Sequence, residues 1–227
     1  MNARTSFAFR EGSAPLKLRL AALTAMMLLS ACRTTGQLAD DAGGVYAVRS
    51  TCPIAGVPAG TGDITLFDPA GSTDSTAIDV TAAISDVRST CQDAGADSVS
   101  VITFTVTALR RDSGAARQVA LPYFNIALRG NGTVSAKTVH SAVINFPAGR
   151  SRSWTRLQAV VRVNRGAASL PANVRAILTR PRKSGETQAA VDPMAEPGVR
   201  AAVQNATFEH LVGFQLTQDQ LKYNATR

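Results

Sequence analysis

From Ile78 to Val163 the apolar residues of this chain fall on alternate positions, and that period of two restricts the fold more than any other feature. Successive side chains of a strand point to opposite faces, so the alternation marks strands with one buried face. Residues 99–109 are the clearest case: Ile102, Phe104, Val106 and Ala108 alternate with Thr103, Thr105 and Thr107. Upstream, Ile78, Val80, Ala82 and Ile84 share one parity, whereas Val87, Ser89 and Cys91 take the other. This slip predicts a bulge near Ser85-Asp86. Residues 118–129 form a return strand in which Pro122 predicts an edge position or a bulge. Gly130-Asn131-Gly132 predicts a hairpin into residues 133–146, and Leu157, Ala159, Val161 and Val163 mark a last strand. Turns are expected at 93–97 around Gly95, at 110–114 and at Pro147-Ala148-Gly149.

Shorter strands are expected over 45–49 and 63–67, the latter before the turn Asp68-Pro69-Ala70-Gly71. Between them, residues 52–62 hold Pro53, Pro58 and three glycines and are expected to be irregular. Six or seven strands at this spacing predict a mainly β chain over residues 45–166, built as an immunoglobulin-like antiparallel β-sandwich. That expectation rests on the strand count, because the internal Cys…Trp…Cys spacing of true immunoglobulin domains is absent.

The N-terminus reads differently. Twelve small or apolar residues, 20–31, follow Arg4, Arg10, Lys17 and Arg19 and are closed by Cys32. A bilayer-spanning helix needs about 20 apolar residues. A basic lead, a short apolar run and a small-residue exit instead read as a secretory signal. The last four residues, Leu29-Ser30-Ala31-Cys32, resemble the lipobox of bacterial lipoproteins. The resemblance implies that residues 1–31 are a signal peptide and that Cys32 carries lipid on its sulfur, with acyl chains such as palmitate. Cys32 would then hold the mature chain to a membrane. Each buried CH₂ contributes about 0.8 kcal/mol, so several chains anchor firmly where one would not. In that class an aspartate after the cysteine signals retention in the inner membrane. Arg33 stands here, so the resemblance points to the outer membrane, facing the periplasm. The lead is long for the class and carries Glu11, which leaves the true start codon open. An ordinary signal peptide cleaved nearby is the alternative. Residues 32–44 are small and polar and read as a flexible tether. The mature part, notably its Cys52-Pro53 start and its 218–227 end, is similar to a group of uncharacterised bacterial lipoproteins, a likeness that brings no activity with it.

Removing the signal changes the charge. Of 24 basic and 16 acidic residues, four and one lie in the leader, which leaves 20 against 15, a net +5. Mild basicity favours anionic lipid, lipopolysaccharide or wall polymer without establishing one as a partner. Nothing in the aromatic or Gln/Asn content points to nucleic acid, which an exported protein would rarely meet. With Cys32 lipidated, Cys52 and Cys91 remain, and an even pair in an oxidising compartment predicts a disulfide. Two buried thiols, or a metal or nucleophilic site, are the alternatives, and neither histidine lies near in sequence.

Residues 167–227 are expected to be a helical extension packed on the sandwich. Residues 170–178 read as a short helix with Pro171 near its start, and 180–185 as a basic loop containing Arg180, Arg182 and Lys183. Val199, Val203, Phe208, Leu211 and Val212 suggest an amphipathic helix ending at Gly213, with His210 in it. Thr217-Gln218-Asp219-Gln220 has the form of a capping box opening a last turn through Tyr223.

Motifs of catalysis are missing: no His-Glu-x-x-His, no Gly-x-Ser-x-Gly and no phosphate-cradling Gly-x-x-x-x-Gly-Lys, although Lys183-Ser184 resembles the end of one. His140 and His210 read as surface or satisfied core residues. Asp63, Asp68, Asp74 and Asp79 lie close in sequence, as hydrolytic carboxylates or a calcium site would. They also flank Pro and Gly, where aspartates cap turns. No catalytic residue, metal or cofactor is therefore expected. Arg150, Arg152, Trp154 and Arg156 share the parity opposite to the apolar face of their strand. They form either an outward basic and aromatic surface or solvated arginines around a Trp154 packed under the C-terminal helices. As a surface they could stack on a sugar and grip an anionic polymer. The expected function is a non-enzymatic binding or assembly role in the envelope: an accessory subunit of a periplasmic or outer-membrane complex, or a binder of cell-wall polymer or lipopolysaccharide. An envelope hydrolase is the remaining alternative.

Overall fold

The computed structural model describes residues 50–180 and 191–226. The expectations placed on the signal peptide, Cys32, the tether, the strand over 45–49 and the loop beyond Arg180 lie outside the described residues. Within them the chain is mainly β. The strands are β1 (Ile54–Gly56), β2 (Asp63–Phe67), β3 (Ile78–Ala94), β4 (Asp97–Arg110), β5 (Arg117–Arg129), β6 (Val134–Phe146), β7 (Arg152–Asn164) and β8 (Phe208–Phe214). Helices are α1 (Ala172–Leu178), α2 (Pro197–Ala206) and α3 (Gln218–Thr226). Two four-stranded sheets, ordered β1-β8-β5-β6 and β2-β3-β4-β7, form the two layers of a sandwich, immunoglobulin-like in its layering. All pairs described are antiparallel except the short parallel contact of β1 with β8.

The period of two carries through to packing. Ile102, Phe104, Val106 and Ala108 on β4 are at most 1% exposed and meet Leu121, Ile144, Phe146 and Phe214 from the facing sheet. Truncating one such phenylalanine to alanine costs about 3–5 kcal/mol. The bulge in β3 lies where the parity slips: the register with β4 shifts between Ser85 and Arg88, and Asp86 has φ 51°. In the β5–β6 turn Gly132 takes φ 85°, which a side chain would disfavour, and Asn131 Oδ1 accepts from the Thr133 N–H.

Three expectations need correction. Residues 52–62 are not wholly irregular, since β1 pairs with Glu209 to Leu211 of β8. Pro122 is neither at an edge nor at a bulge, because β5 runs between β6 and β8. It is tolerated because β8 pairing ends at Phe214, opposite Tyr123, and the Pro122 carbonyl accepts from Gln215 N–H just beyond. A residue's N–H and C=O point to the same side of a strand, so the missing donor faces Gln215 and costs only the last bond at the end of this pairing, none to β6. The third correction is the largest. The amphipathic helix stops at Ala206, and residues 208–214 enter the sheet as β8, between β1 and β5. The C-terminal extension therefore supplies an interior strand of the sandwich as well as helices. Gly213 does not end a helix there: a Cβ on it would lie 2.7 Å from the Phe124 ring, so close packing requires glycine.

Disulfide and cap hold the two ends of the domain. Cys52 and Cys91 are bonded, with Cα atoms 6.0 Å apart and a sequence separation of 39. The capping box is complete: Thr217 N–H donates to Gln220 Oε1 at 2.9 Å, and Gln220 N–H donates to Thr217 Oγ1 at 3.2 Å. It orients α3 onto β2, where Asn224 Nδ2 donates to the carbonyls of Gly60 and Asp63, and Tyr223 meets Phe67 edge-on at 5.1 Å.

Candidate binding face and the buried histidine

Alternation along β7 sends Leu157, Ala159, Val161 and Val163 inward and Arg152, Trp154 and Arg156 outward. Trp154 is 65% exposed, so it does not pack beneath the C-terminal helices. It pairs with Thr107 of β4, while Arg152 pairs with Leu109 and Arg156 with Thr105. Threonine opposite the indole leaves its face uncovered, and Leu109, 48% exposed, continues the apolar ground beside it. An indole flanked by two guanidiniums offers a stacking plane and forked donors for carboxylate or phosphate. Arg150 departs from this trio. It is exposed in the turn before β7, its N–H donating to the Pro147 carbonyl and its own carbonyl accepting from Arg110.

Arg110 fixes the entry to that face. It shares parity with Ala108 and Val106 and is only 5% exposed. Its guanidinium donates to the carbonyls of Arg150, Ala115 and Pro147 at 2.9, 2.7 and 3.1 Å. It also lies 5.3 Å from the Phe146 ring centre. Carbonyls and a ring thus satisfy a buried cation, and the turn leading into Arg152 is held from inside. A charged residue on the apolar parity at a strand end is the signal that would have revealed it.

His140 is exposed on β6, as a surface histidine would be. His210 is in β8, not a helix, and is fully buried between the sheets. Asn125 Nδ2 donates to the Val160 carbonyl, which leaves its Oδ1 to accept from His210 Nε2–H at 2.8 Å. His210 Nδ1 therefore accepts from the Ser100 hydroxyl at 2.9 Å. Burial pushes its pKa down to about 4, so the ring is neutral at neutral pH. Serine, histidine and amide stand in the order of a nucleophile, its base and its orienter. All three are buried, Ser100 and His210 completely, and no described cavity is lined by any of them. The network joins the two sheets.

The four aspartates do not converge. Asp68 and Asp74 are exposed in the loop after β2, and Asp63 begins β2. Asp79 is bound through both oxygens by Arg117 at 2.7 and 2.6 Å, which holds its carboxyl below the usual range. Among the described residues no group of three His, Cys, Asp or Glu side chains could hold a metal ion. No helix among them is long and apolar enough to cross a membrane. No protein-family model matches this chain, and no curated protein matches it.

Proposed function

We propose that this chain is a lipid-anchored, non-enzymatic binding domain of the bacterial envelope, held through Cys32 on the outer membrane and facing the periplasm. Its ligand is an anionic cell-wall polymer or lipopolysaccharide, gripped by Arg152, Trp154 and Arg156. The anchor rests on the lipobox-like Leu29-Ser30-Ala31-Cys32. The binding role rests on one observation: the indole of Trp154 stands 65% exposed between two arginines on the edge strand β7. Aromatic and arginine side chains together are the composition that interface centres favour. Closure of the Ser100–His210–Asn125 network to solvent supports binding over hydrolysis.

An accessory-subunit role is the second reading, and the other sheet favours it. Ile54, Val139 and Val143 are exposed there, as an interface with a protein would need. Co-sedimentation separates the two. The mature domain should pellet with purified peptidoglycan sacculi or with lipopolysaccharide, and Trp154→Ala should lose most of the bound fraction. Failure to pellet with either, together with a stoichiometric protein recovered from solubilised membranes, would replace the polymer with a protein partner.

A further inference from the structure

We propose that the free edge of β6 is a pairing surface for a second copy of this chain, strand against strand about a two-fold axis at His140. The two sheets end in the edges β1, β6, β2 and β7. Exposed edges invite pairing unless they are short, covered or charged. β1 is three residues long, and α3 covers the start of β2, where Asn224 Nδ2 donates to the Asp63 carbonyl. β7 carries Arg152, Arg156 and Arg162 along its edge, and Asn125 Nδ2 occupies its Val160 carbonyl. β6 has none of these protections. Residues 134–141 are all exposed, although Ala136, Thr138 and His140 share the parity of the buried Ala142 and Ile144. The facing sheet therefore leaves this half of the strand uncovered.

The register fixes which groups are offered. Ser141 lies opposite Pro122, whose carbonyl faces β8. Theirs is a non-hydrogen-bonded pair, so Ser141 turns its own N–H and C=O to the free side. Lys137, Val139 and Val143 share that parity. Asn145 does too, but its carbonyl accepts from the Ser153 hydroxyl of β7 at 2.6 Å, which closes the edge there. At the other end the register with β5 shifts between Ala127 and Leu128, opposite Ala136 and Val134. The open stretch is thus Lys137 to Val143, and His140 is its centre.

Two such stretches, antiparallel about His140, set Val139 against Ser141 of the second copy and Lys137 against Val143. Each free N–H and C=O of these residues then meets a partner, and no lysine or arginine opposes another. The row's one charged group, the Lys137 ammonium, lies 5.7 Å from the centre of the Phe124 ring on β5, folded back from the edge. The row offers no charge across the edge, so a neutral strand fits it better than an acidic one, and β6 is itself such a strand. Pairing joins two four-stranded sheets into one continuous layer. A two-fold axis normal to that layer keeps both Trp154 faces on the same side, where one polymer bridges them. That consequence rests on the binding role above; the pairing does not.

His140→Cys tests the pairing in the full chain, in membranes of cells that express it with its own leader. Opposite residues of a non-hydrogen-bonded pair have Cα atoms about 4.5 Å apart, within disulfide reach. Mild oxidation with copper-phenanthroline should move most of the chain to a band of twice its mass on non-reducing electrophoresis, with the unsubstituted chain as baseline. Thr138→Cys is the control. The two copies of residue 138 stand about 14 Å apart along the strands and should cross-link at least 10-fold less. Adding Val139→Asp and Ser141→Asp to His140→Cys opposes carboxylates and should abolish the band. Val139→Asp with Ser141→Lys opposes unlike charges and should restore it. All these side chains are exposed, so the fold tolerates the changes. No cross-link at residue 140, or equal cross-linking at 138 and 140, would overturn the pairing. A residue-140 adduct with a protein of different mass would give the edge to that protein and overturn the second copy as its occupant.

Discussion

Acid should loosen this domain through His210. The ring is buried and neutral, with its pKa lowered from the ordinary 6.5 to about 4. Its folded value lies below its unfolded value, so the unfolded chain binds the proton more readily. Stability is complete above pH 6.5 and falls as the pH drops from there toward 4. Integrating one proton over that window gives a loss of about 2 kcal/mol between pH 7.5 and pH 5, growing to about 3 kcal/mol at pH 4. Asp79 does not contribute in this range, because its carboxyl titrates below the ordinary 3.8. Urea denaturation at pH 7.5, 6.5, 5.5 and 5.0 measures the effect, with His210→Gln as the comparison. The variant should be less stable at pH 7.5, since Ser100 and Asn125 lose a partner, at about 1–3 kcal/mol for a buried polar group left unsatisfied. It should also lack most of the acid-dependent loss. His140 is present in both proteins and cancels. Parallel slopes in wild type and variant would refute the buried, neutral ring between the sheets.

Three further outcomes follow from the same structure. Replacing Cys52 and Cys91 by serine should cost about 4 kcal/mol in the chain-entropy model for this loop, measured by urea denaturation, and reductant should reproduce the loss in the wild type. Gly213→Ala should destabilise by about 1–3 kcal/mol, because its methyl collides with Phe124 and Thr61; Phe124→Leu in the same chain should restore part of this in thermal melts. Arg110→Met should destabilise the fold by about 3 kcal/mol through the orphaned carbonyls of Arg150, Ala115 and Pro147. It should also raise hydrogen exchange in the 147–151 turn more than in β5.

The long strands were readable because their burial is one-sided, and one-sided burial writes the period of two directly into residues such as Ile102, Phe104 and Val106. β4 spans Asp97–Arg110 against an expectation of 99–109, and β5 spans Arg117–Arg129 against 118–129. β8 was missed for a physical reason. Phe208, His210, Val212 and Phe214 do alternate, but Phe208, Leu211 and Val212 also satisfy a helical spacing, and seven residues cannot separate the two periods. Reading His210 as apolar would have tipped the balance, yet only its partners Ser100 and Asn125, 110 and 85 residues away, make it so. Pro122 misled because its cost depends on where a neighbouring strand ends, which no local pattern records. The outward placement of Arg152, Trp154 and Arg156 followed from parity alone.

The central claim, that the Trp154 face takes a ligand, is tested most directly by the emission of that single tryptophan as soluble peptidoglycan fragments are titrated into the mature domain. A saturable blue shift that disappears in Arg152→Ala/Arg156→Ala is the result this account predicts. An emission maximum that stays at the solvent-exposed position through saturating polymer would contradict it.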